Sequence, residues 1–321
     1  MGSRPILREN SCITRHMLNN RGSATILMLL VSMVIVTIAI GFNWLVKSHL
    51  TAAEGFRKKS EAMLNAMSAF DSLMYSGVTG TIGPRDIVFS TRPDVLGAQT
   101  IPLDGTPVDL PRNVRVRLQD ANGLLSLARL DENAMQRLIK VVRPQEAGSV
   151  IITDSLLDWI DPDRFQRPNG AEEMFYRMAD RPYAARNYAL QYKEELGFIR
   201  GMDPELYRKI SPHTTLLPNF GFNPNTASDE VLMAYLAIDN DAVKKLRDYM
   251  RQRPVVSDTA LFGLTGRTIA SDVAGVYFFP VKLLEVTVSS GKPRPYYTIR
   301  AGVDLRQNTI SPYNVVYWNE E

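Results

Sequence analysis

Five carboxylates lie close together in the middle of the chain, and they are the side chains best suited to chemistry. They are Asp158, Asp161, Asp163, Glu172 and Glu173, which fall within sixteen residues. The segment also contains two prolines and a glycine, which favours an irregular loop. Calcium takes about six to eight oxygen ligands from loops of this kind. The loop is therefore a candidate site for a hard cation such as calcium, and the spacing leaves open which of the five carboxylates bind.

The spacing is not that of an EF-hand. If Asp161 is taken as the first position, Asp163 and Glu172 occupy acidic positions of the motif. Phe165 and Gln166, however, fall where an EF-hand needs an oxygen ligand and a glycine. A second interpretation is a solvated acidic turn whose carboxylates cap helices.

Catalytic motifs are absent from the sequence. The three histidines, His16, His49 and His213, lie far apart along the chain. There is no Gly-x-Ser-x-Gly, His-Glu-x-x-His or P-loop motif. The single cysteine, Cys12, cannot support a disulfide framework. We predict that the protein is not an enzyme, with a carboxylate hydrolase site in the acidic loop as the alternative.

A pair of predicted helices near residue 230 resembles half of a helix-hairpin-helix, a fold that binds DNA phosphates at a glycine-rich turn. The turn here runs from Ala237 to Asp241; it has two carboxylates and no glycine, so it would repel phosphate. We expect Arg247, Arg251 and Arg253 to form a solvated helix face. We predict no nucleic-acid partner, and a DNA-binding or DNA-uptake subunit remains the rival from a different class.

The most distinctive structural element in the sequence is an uncharged stretch of 25 residues, Gly22 to Val46. About 20 apolar residues cross a bilayer as a helix, so residues 23–46 are predicted to span a membrane. Arginines precede this stretch, which favours a cytoplasmic N-terminus. The helical pattern continues beyond residue 47, with Phe56, Met63 and Phe70 spaced by seven residues. We expect this face to pack against a sheet.

The rest of the chain alternates between strand and helix patterns. Residues 113–119 alternate between apolar and polar, and Asp120-Ala121-Asn122-Gly123 is a hairpin signal leading into residues 124–127. Strand-forming residues return at 276–288, 296–305 and 313–318. Between them, residues 131–270 have helical periodicity with capping signals at Asp131 and Asp203. We predict an α+β protein in which one antiparallel sheet carries an all-helical insertion and the acidic loop belongs to the insertion.

The N-terminus resembles the class III leader of type IV pilins and type II secretion pseudopilins. That resemblance rests on a basic leader ending in Gly22, followed by Ser23 and the apolar helix. It implies that prepilin peptidase cuts between Gly22 and Ser23 and that the new N-terminus is methylated. Most members carry Glu at the fifth mature position, whereas this chain has Leu27. A subunit at the tip has no neighbour above it, so Leu27 indicates a tip position.

Five further segments resemble the K-type minor pseudopilins of type II secretion systems (general secretion pathway protein K family), in that family's order. They read VRVRLQDANGLLSLARL (114–130), LLDWIDPD (156–163), NGAEEMFY (169–176), EELGFIRGMDPELYRKISPHTTLLP (194–218) and FNPNTASDEVLMAYL (222–236). Ser126 and Ala128 stand where the family usually has asparagine. The resemblance implies a pilin-like fold and calcium bound in the helical domain.

The resemblance also implies a non-catalytic role at the tip of the pseudopilus, where the protein would initiate assembly for protein export across the outer membrane. The implied partners are I-type and J-type minor pseudopilins, the major pseudopilin, the inner-membrane assembly platform and prepilin peptidase. The implied location is the bacterial inner membrane, crossed once, with a periplasmic body. A minor pilin of a type IV pilus is the alternative.

Together these observations divide the chain into five predicted segments. They are a leader (1–22), a membrane-spanning helix (23–46), a periplasmic helix with the first strands (47–130), the helical insertion (131–270) and the C-terminal strands (271–321).

Overall fold

A computed structural model describes residues 23–89, 97–219, 221–269, 275–306 and 309–321. The chain divides into two units, one ending at Arg57 and the other beginning at Lys58. The long helix α1 (Ser23–Thr79) passes from the first unit into the second. From Ala24 to Arg57 the side chains of α1 are exposed. Among the described residues this is the helix that is long and apolar enough to cross a membrane.

Twelve strands are described outside the helices. They are β1 (Thr81–Ile82), β2 (Asp86–Val88), β3 (Thr100–Pro102), β4 (Val108–Leu110), β5 (Val114–Asp120), β6 (Leu125–Ser126), β7 (Thr214–Thr215), β8 (Gly221–Phe222), β9 (Gly275–Val276), β10 (Leu283–Ser290), β11 (Tyr297–Asp304) and β12 (Asn314–Glu320).

The main sheet has five antiparallel strands in the order β12-β11-β10-β5-β4. The strand predicted at residues 113–119 therefore joins the C-terminal strands, as expected. In β5 the valines and Leu118 are buried while Arg115 and Arg117 are exposed, because successive side chains of a strand point to opposite faces. The buried face of the sheet packs on the second half of α1 in one apolar core.

The face of α1 that meets this core differs from the predicted one. Phe70 is buried as expected, but Met63 is 37% exposed and Phe56 is 75% exposed. The buried positions are instead Ala62 and Ala66, followed by Phe70, Leu73 and Met74. These positions recur every three or four residues, which is the period of a straight α-helix. Alanine side chains are short, so they let the helix lie close to the sheet.

The insertion contains seven described helices. They are α2 (Glu132–Val142), α3 (Ser149–Ile160), α4 (Glu173–Met178), α5 (Pro204–Ile210), α6 (Asp229–Leu236), α7 (Asn240–Gln252) and α8 (Asp258–Thr265).

Local capping signals decide where several of these helices begin. The Asp131 carboxylate accepts a hydrogen bond from the Ala134 amide at 2.8 Å, and Asp203 accepts from the Glu205 and Leu206 amides. Ser228 and Asp239 cap α6 and α7 in the same way. Each cap satisfies amides that the first helical turn leaves without a partner. The helices surround a second apolar core, separate from the one beneath the sheet.

The predicted hairpin after β5 is wrong. Residues Ala121–Gly123 form a 3-10 turn, and β6 then pairs in parallel with β7 of the insertion. The insertion is therefore not purely helical, since it also supplies β8, which pairs in parallel with β9. A hairpin signal describes only the local chain, whereas these strand pairs join segments about 90 and about 50 residues apart.

The buried Asp120 carboxylate holds this junction together. It accepts hydrogen bonds from the Asn223 side chain and the Thr226 hydroxyl, both at 3.0 Å. It also accepts from the amides of Asn122 and Val281. Burial raises the pKa of Asp120, although these hydrogen bonds partly oppose the increase. The sheet and the insertion are thus joined through one fully hydrogen-bonded polar group.

Candidate metal centre

The acidic loop connects the end of α3 to the start of α4. Asp161 terminates α3, and its amide donates to the Leu157 carbonyl at 2.9 Å. Glu172 is the residue that caps α4. Because the loop folds back, carboxylates eleven positions apart in sequence meet in space. One oxygen each from Asp161, Asp163 and Glu172 lies within 4.8 Å of the other two.

Hydrogen bonds from the backbone and from a neighbouring loop support this arrangement. The Phe165 amide donates to the Asp163 carboxylate at 2.8 Å. The Asn187 side-chain amide donates to the Asp163 carbonyl, and the Asn187 backbone amide donates to the Trp159 carbonyl at 2.9 Å. The position of Asp163 is therefore set by contacts on both sides of the loop.

The cluster has acceptors that no described donor reaches. One carboxylate oxygen of Asp161 and one of Glu172 are buried and make no hydrogen bond within the described chain, and Glu172 is only 4% exposed. A buried acceptor without a partner is unfavourable. Carboxylate oxygens are the ligands that calcium prefers. The residues present therefore fit a hard divalent cation.

The electrostatics of the cluster agree with this fit. Burial raises the pKa of Asp161, and the nearby carboxylates of Asp163 and Asp158 raise it further. Burial also raises the pKa of Glu172, and the charges of Asp158 and Asp161 add to the increase. Hydrogen bonds from the Glu173 amide and the Asn187 side chain oppose it. Desolvation and like charges both disfavour the ionised forms. A bound cation would relieve both effects.

Asp158 lies outside the group of three. It is fully buried, and it accepts hydrogen bonds from the Arg167 amide at 3.2 and 3.3 Å. Burial raises its pKa. Gly170 is packed directly against it, because an added Cβ atom would lie 1.9 Å from an Asp158 oxygen. The structure thus shows Asp158 positioning the loop that carries the other carboxylates.

Glu173 also lies outside the group. Its side chain is 44% exposed and pairs with Arg177 one turn further along α4. This arrangement is an ordinary i, i+4 ion pair on a helix surface. Of the five predicted carboxylates, the structure thus brings three together, places one beneath the loop and leaves one on the surface.

Asp154 is a supporting residue that the sequence analysis missed. It is buried and accepts from both the backbone and the side-chain amide of Asn169, at 3.2 and 3.1 Å. Arg200 supports the same loop from another side by donating to the Gly170 carbonyl at 2.9 Å. Asp154 stands four residues before Asp158 on α3, so the two share a helix face. This four-residue spacing is the feature of the sequence from which the role of Asp154 could have been predicted.

The predicted processing and assembly residues belong to the N-terminal unit. Gly22 lies outside the described residues, and Ser23 is the first residue of α1. Leu27 lies on α1 and is exposed. The cleavage at Gly22 and Ser23 and the role of Leu27 stay predictions.

The pair of helices α6 and α7 has carboxylates at its turn. Ala237 adopts a left-handed conformation there, and Asp239 caps α7 by accepting from the Ala242 amide at 2.9 Å. The helix face that carries the arginines is partly neutralised by contacts within the chain, since Arg247 forms an ion pair with Asp229 at 2.7 Å. Arg253 lies over the Tyr249 ring at 4.7 Å.

Comparison with known families finds one match that covers the candidate metal centre. A family model described as "Type II secretion system (T2SS), protein K" matches residues 113–219. That range includes β5 and α2 to α5 together with the acidic loop.

Several curated relatives carry the same description. The type II secretion system protein K of Pectobacterium carotovorum subsp. carotovorum is 29% identical over 147 residues, 41% of this chain and 44% of the relative. That of Pseudomonas aeruginosa is 28% identical over 158 residues, 46% of this chain and 47% of the relative. That of Klebsiella pneumoniae is 33% identical over 81 residues, a quarter (25%) of each chain. The chain therefore spans less than half the length of the curated relatives it matches.

One solved structure shares the fold. It is described as the crystal structure of the GspK-GspI-GspJ complex from the type 2 secretion system of enterotoxigenic Escherichia coli. The matched chain has 18% sequence identity and a TM-score of 0.51, and the match covers 86% of this chain and 99% of that chain. The likeness confirms the predicted α+β fold class, and the family model and the relatives confirm the resemblance to the protein K family.

Proposed function

We propose that this chain, which carries the protein K domain of type II secretion systems at residues 113–219, is a K-type minor pseudopilin. Its role would be to cap the pseudopilus tip and to initiate pseudopilus assembly for protein export across the outer membrane. The observation that carries this proposal is the match of the protein K family model to the segment holding the acidic loop. The role is structural, so no catalytic residue is assigned.

The proposed partners follow from the same family. The solved complex names GspI and GspJ beside GspK, and we infer that the I-type and J-type minor pseudopilins are the corresponding partners here. We further propose contacts with the major pseudopilin and with the inner-membrane assembly platform. These contacts would be made by a mature subunit that remains anchored in the membrane.

The N-terminal segment would act as both anchor and processing signal. The helix α1 is long and apolar enough to cross a membrane, which supports a single-pass protein of the bacterial inner membrane with a periplasmic body. We propose that prepilin peptidase cuts between Gly22 and Ser23 and that the new N-terminus is methylated. Leu27 would leave the tip subunit without the acidic group that other members carry.

We also propose that the acidic loop holds calcium through Asp161, Asp163 and Glu172. Calcium supplies positive charge and a demand for oxygen ligands. Asp161 ends α3 and Glu172 caps α4, so ligation by both would join the ends of two helices. Asp158 and Glu173 would support the loop and the surface of α4. The proposed role of the site is therefore to rigidify the insertion.

Co-purification from membranes tests the proposed function. The full chain, carrying an affinity tag at its C-terminus, is co-expressed with the I-type and J-type minor pseudopilins of the same secretion system and extracted in mild detergent. We expect both partners to co-purify with it in amounts detectable by mass spectrometry. A type IV pilus protein recovered in their place would support the alternative assignment, and recovery of neither partner would contradict the proposal.

A further inference from the structure

The outer strand of the main sheet, β12, is an exposed edge. Among the described strands it pairs with β11 alone, and six of its seven residues are exposed. The exposed side chains include Val315, Val316 and Trp318, at 43%, 53% and 41%. The strand contains neither proline nor lysine. Natural proteins usually protect edge strands with such residues, because a bare edge pairs readily with another strand.

The hydrogen-bond pattern shows which backbone groups face outward. Glu321 and Thr298 exchange two backbone hydrogen bonds, at 2.9 and 3.0 Å. In an antiparallel pair, hydrogen-bonded and non-hydrogen-bonded positions alternate. The next hydrogen-bonded positions on β12 are therefore Asn319 and Tyr317. It follows that the N–H and C=O groups of Trp318 and Glu320 point away from β11.

The opposite edge of the same sheet is protected. The edge strand β4 has only three residues, with Pro107 before it and Pro111 after it. Its central residue, Asp109, is an ion-pair partner of Arg115 on the adjacent strand at 2.7 Å. Shortness, flanking prolines and charge are the features that block strand addition. The only irregularity of β12 is a bulge opposite Gly302 and Val303, which leaves Tyr317 to Glu320 regular.

Charge and shape indicate what kind of strand would fit. Among the described residues Glu320 forms no ion pair, and the residue opposite it on β11 is the apolar Ile299. Its carboxylate accepts from the Trp318 indole N–H at 2.6 Å, and the Tyr297 hydroxyl and that indole both lower its pKa. Trp318 packs edge-on against Phe70 of α1 with ring centroids 4.8 Å apart, and 41% of its surface is exposed. A matching strand would thus place a basic residue opposite Glu320 and an apolar residue opposite Trp318.

We propose that β12 receives an extended strand from a partner minor pseudopilin, which adds a sixth strand to the sheet. The strand carries Lys or Arg opposite Glu320 and an aromatic or β-branched residue opposite Trp318. Backbone hydrogen bonds to Trp318 and Glu320 supply the affinity, and the two side-chain pairs set the register. This inference rests on the proposed function, because it takes its partner from the same assembly.

Photo-crosslinking in the full chain tests the edge directly. A photoreactive phenylalanine derivative replaces Val316, and the chain is co-expressed with the I-type and J-type minor pseudopilins. We expect a crosslink to one of them, with the site identified by mass spectrometry. Glu320→Pro removes an outward N–H and a carboxylate but no hydrogen bond to β11, and it should lower the crosslink about tenfold. Glu320→Lys should lower it about fivefold.

Glu321→Gln is the matched control. Glu321 already pairs with Arg300 at 3.1 Å, so its loss should leave the crosslink nearly unchanged. Tryptophan fluorescence checks that each variant folds. If Glu320→Pro does not fold, the comparison of Glu320→Lys with the unsubstituted chain tests the proposal. Restoration of the crosslink when Glu320→Lys is combined with an acidic substitution at the basic partner residue would support the proposed register.

The other outcomes are also decisive. A crosslink to a second copy of this chain would overturn the proposed occupant. If both partners co-purify but no crosslink forms, the edge proposal is overturned and the proposed function is not. The same holds if the crosslink yield is unchanged in the Glu320 variants. Loss of co-purification in the unmodified chain would overturn the proposed function and the edge proposal together.

Discussion

Removal of calcium should destabilise the insertion, because three carboxylates then face one another with no cation bound between them. Oxygens of Asp161, Asp163 and Glu172 lie within 4.8 Å of each other. Two unit charges at that distance repel by about 3.5 kcal/mol if the effective dielectric constant is about 20. Asp161 and Glu172 also each have a buried oxygen without a hydrogen-bond partner in the described chain. Both effects oppose the folded state when no cation is bound.

The expected size of the change follows from ligand linkage. A ligand that binds only the folded state at one hundred times its dissociation constant stabilises it by about 2.7 kcal/mol. For a body of 150 to 250 residues, each kcal/mol moves the melting temperature by about 2 to 4 °C. Saturating calcium should therefore raise the melting temperature by about 5 to 11 °C over the same protein in chelator.

The assay compares thermal unfolding with calcium and with chelator, followed by tryptophan fluorescence. Residues 47 onward are suitable, because the described apolar cores contain only residues from Ala62 onward. Trp159 lies in the last turn of α3, beside the acidic loop, and reports on it locally. Magnesium at the same concentration serves as a control for ionic strength.

A neighbouring pair of carboxylates provides matched variants. Glu172→Gln removes a group from the cluster and should abolish most of the calcium-dependent increase. Glu173→Gln removes the next carboxylate along the chain, which is exposed and paired with Arg177, and should keep the increase. An unchanged melting curve for the unsubstituted protein, or equal responses from the two variants, would refute the assignment of this site.

Three further predictions concern other parts of the chain. Mass spectrometry of protein purified from membranes should find Ser23 as a methylated N-terminus; an intact leader or a different cut would contradict the processing site. Leu27→Glu should leave cleavage intact while it disturbs tip assembly, and normal secretion by that variant would count against a tip position. Asp203→Ala should cost about 1 kcal/mol in urea unfolding at pH 7, because Asp203 caps α5. The Arg143 guanidinium lowers the pKa of Asp203, so this stability is present above the unfolded pKa of about 4 and is lost as the pH falls through the lower folded value. An equal cost at pH 7 and at about pH 2 would contradict this explanation.

Local sequence was sufficient for many individual elements. Residue type and spacing predict the caps at Asp131 and Asp203, and the structure shows each of them accepting a backbone N–H at a helix start. The alternation in residues 113–119 likewise predicted the buried and exposed faces of β5. These features depend on hydrogen bonds and side-chain periods within a few residues, so a short window of sequence contains the relevant information.

Pairings between distant segments could not be obtained in this way. The turn after β5 looked like a hairpin, but Leu125 and Ser126 pair with Thr214 and Thr215, and the buried Ser126 hydroxyl donates to the Leu217 carbonyl at 2.8 Å. The large residues of α1 suggested a core face that in fact contains Ala62 and Ala66. Both the strand pairing and the buried face of α1 depend on which distant segments contact each other. The local sequence pattern does not contain that information.

The acidic loop shows the division between the two kinds of information. The sequence alone showed that five carboxylates lie within sixteen residues of the insertion, and that oxygen ligands there suit a hard cation. Only the tertiary structure decided that Asp161, Asp163 and Glu172 converge, that Asp158 is buried beneath the loop and that Glu173 faces solvent. The reason is physical: residue type sets what a side chain can bind, but the fold of the loop sets which side chains lie within binding distance of one another.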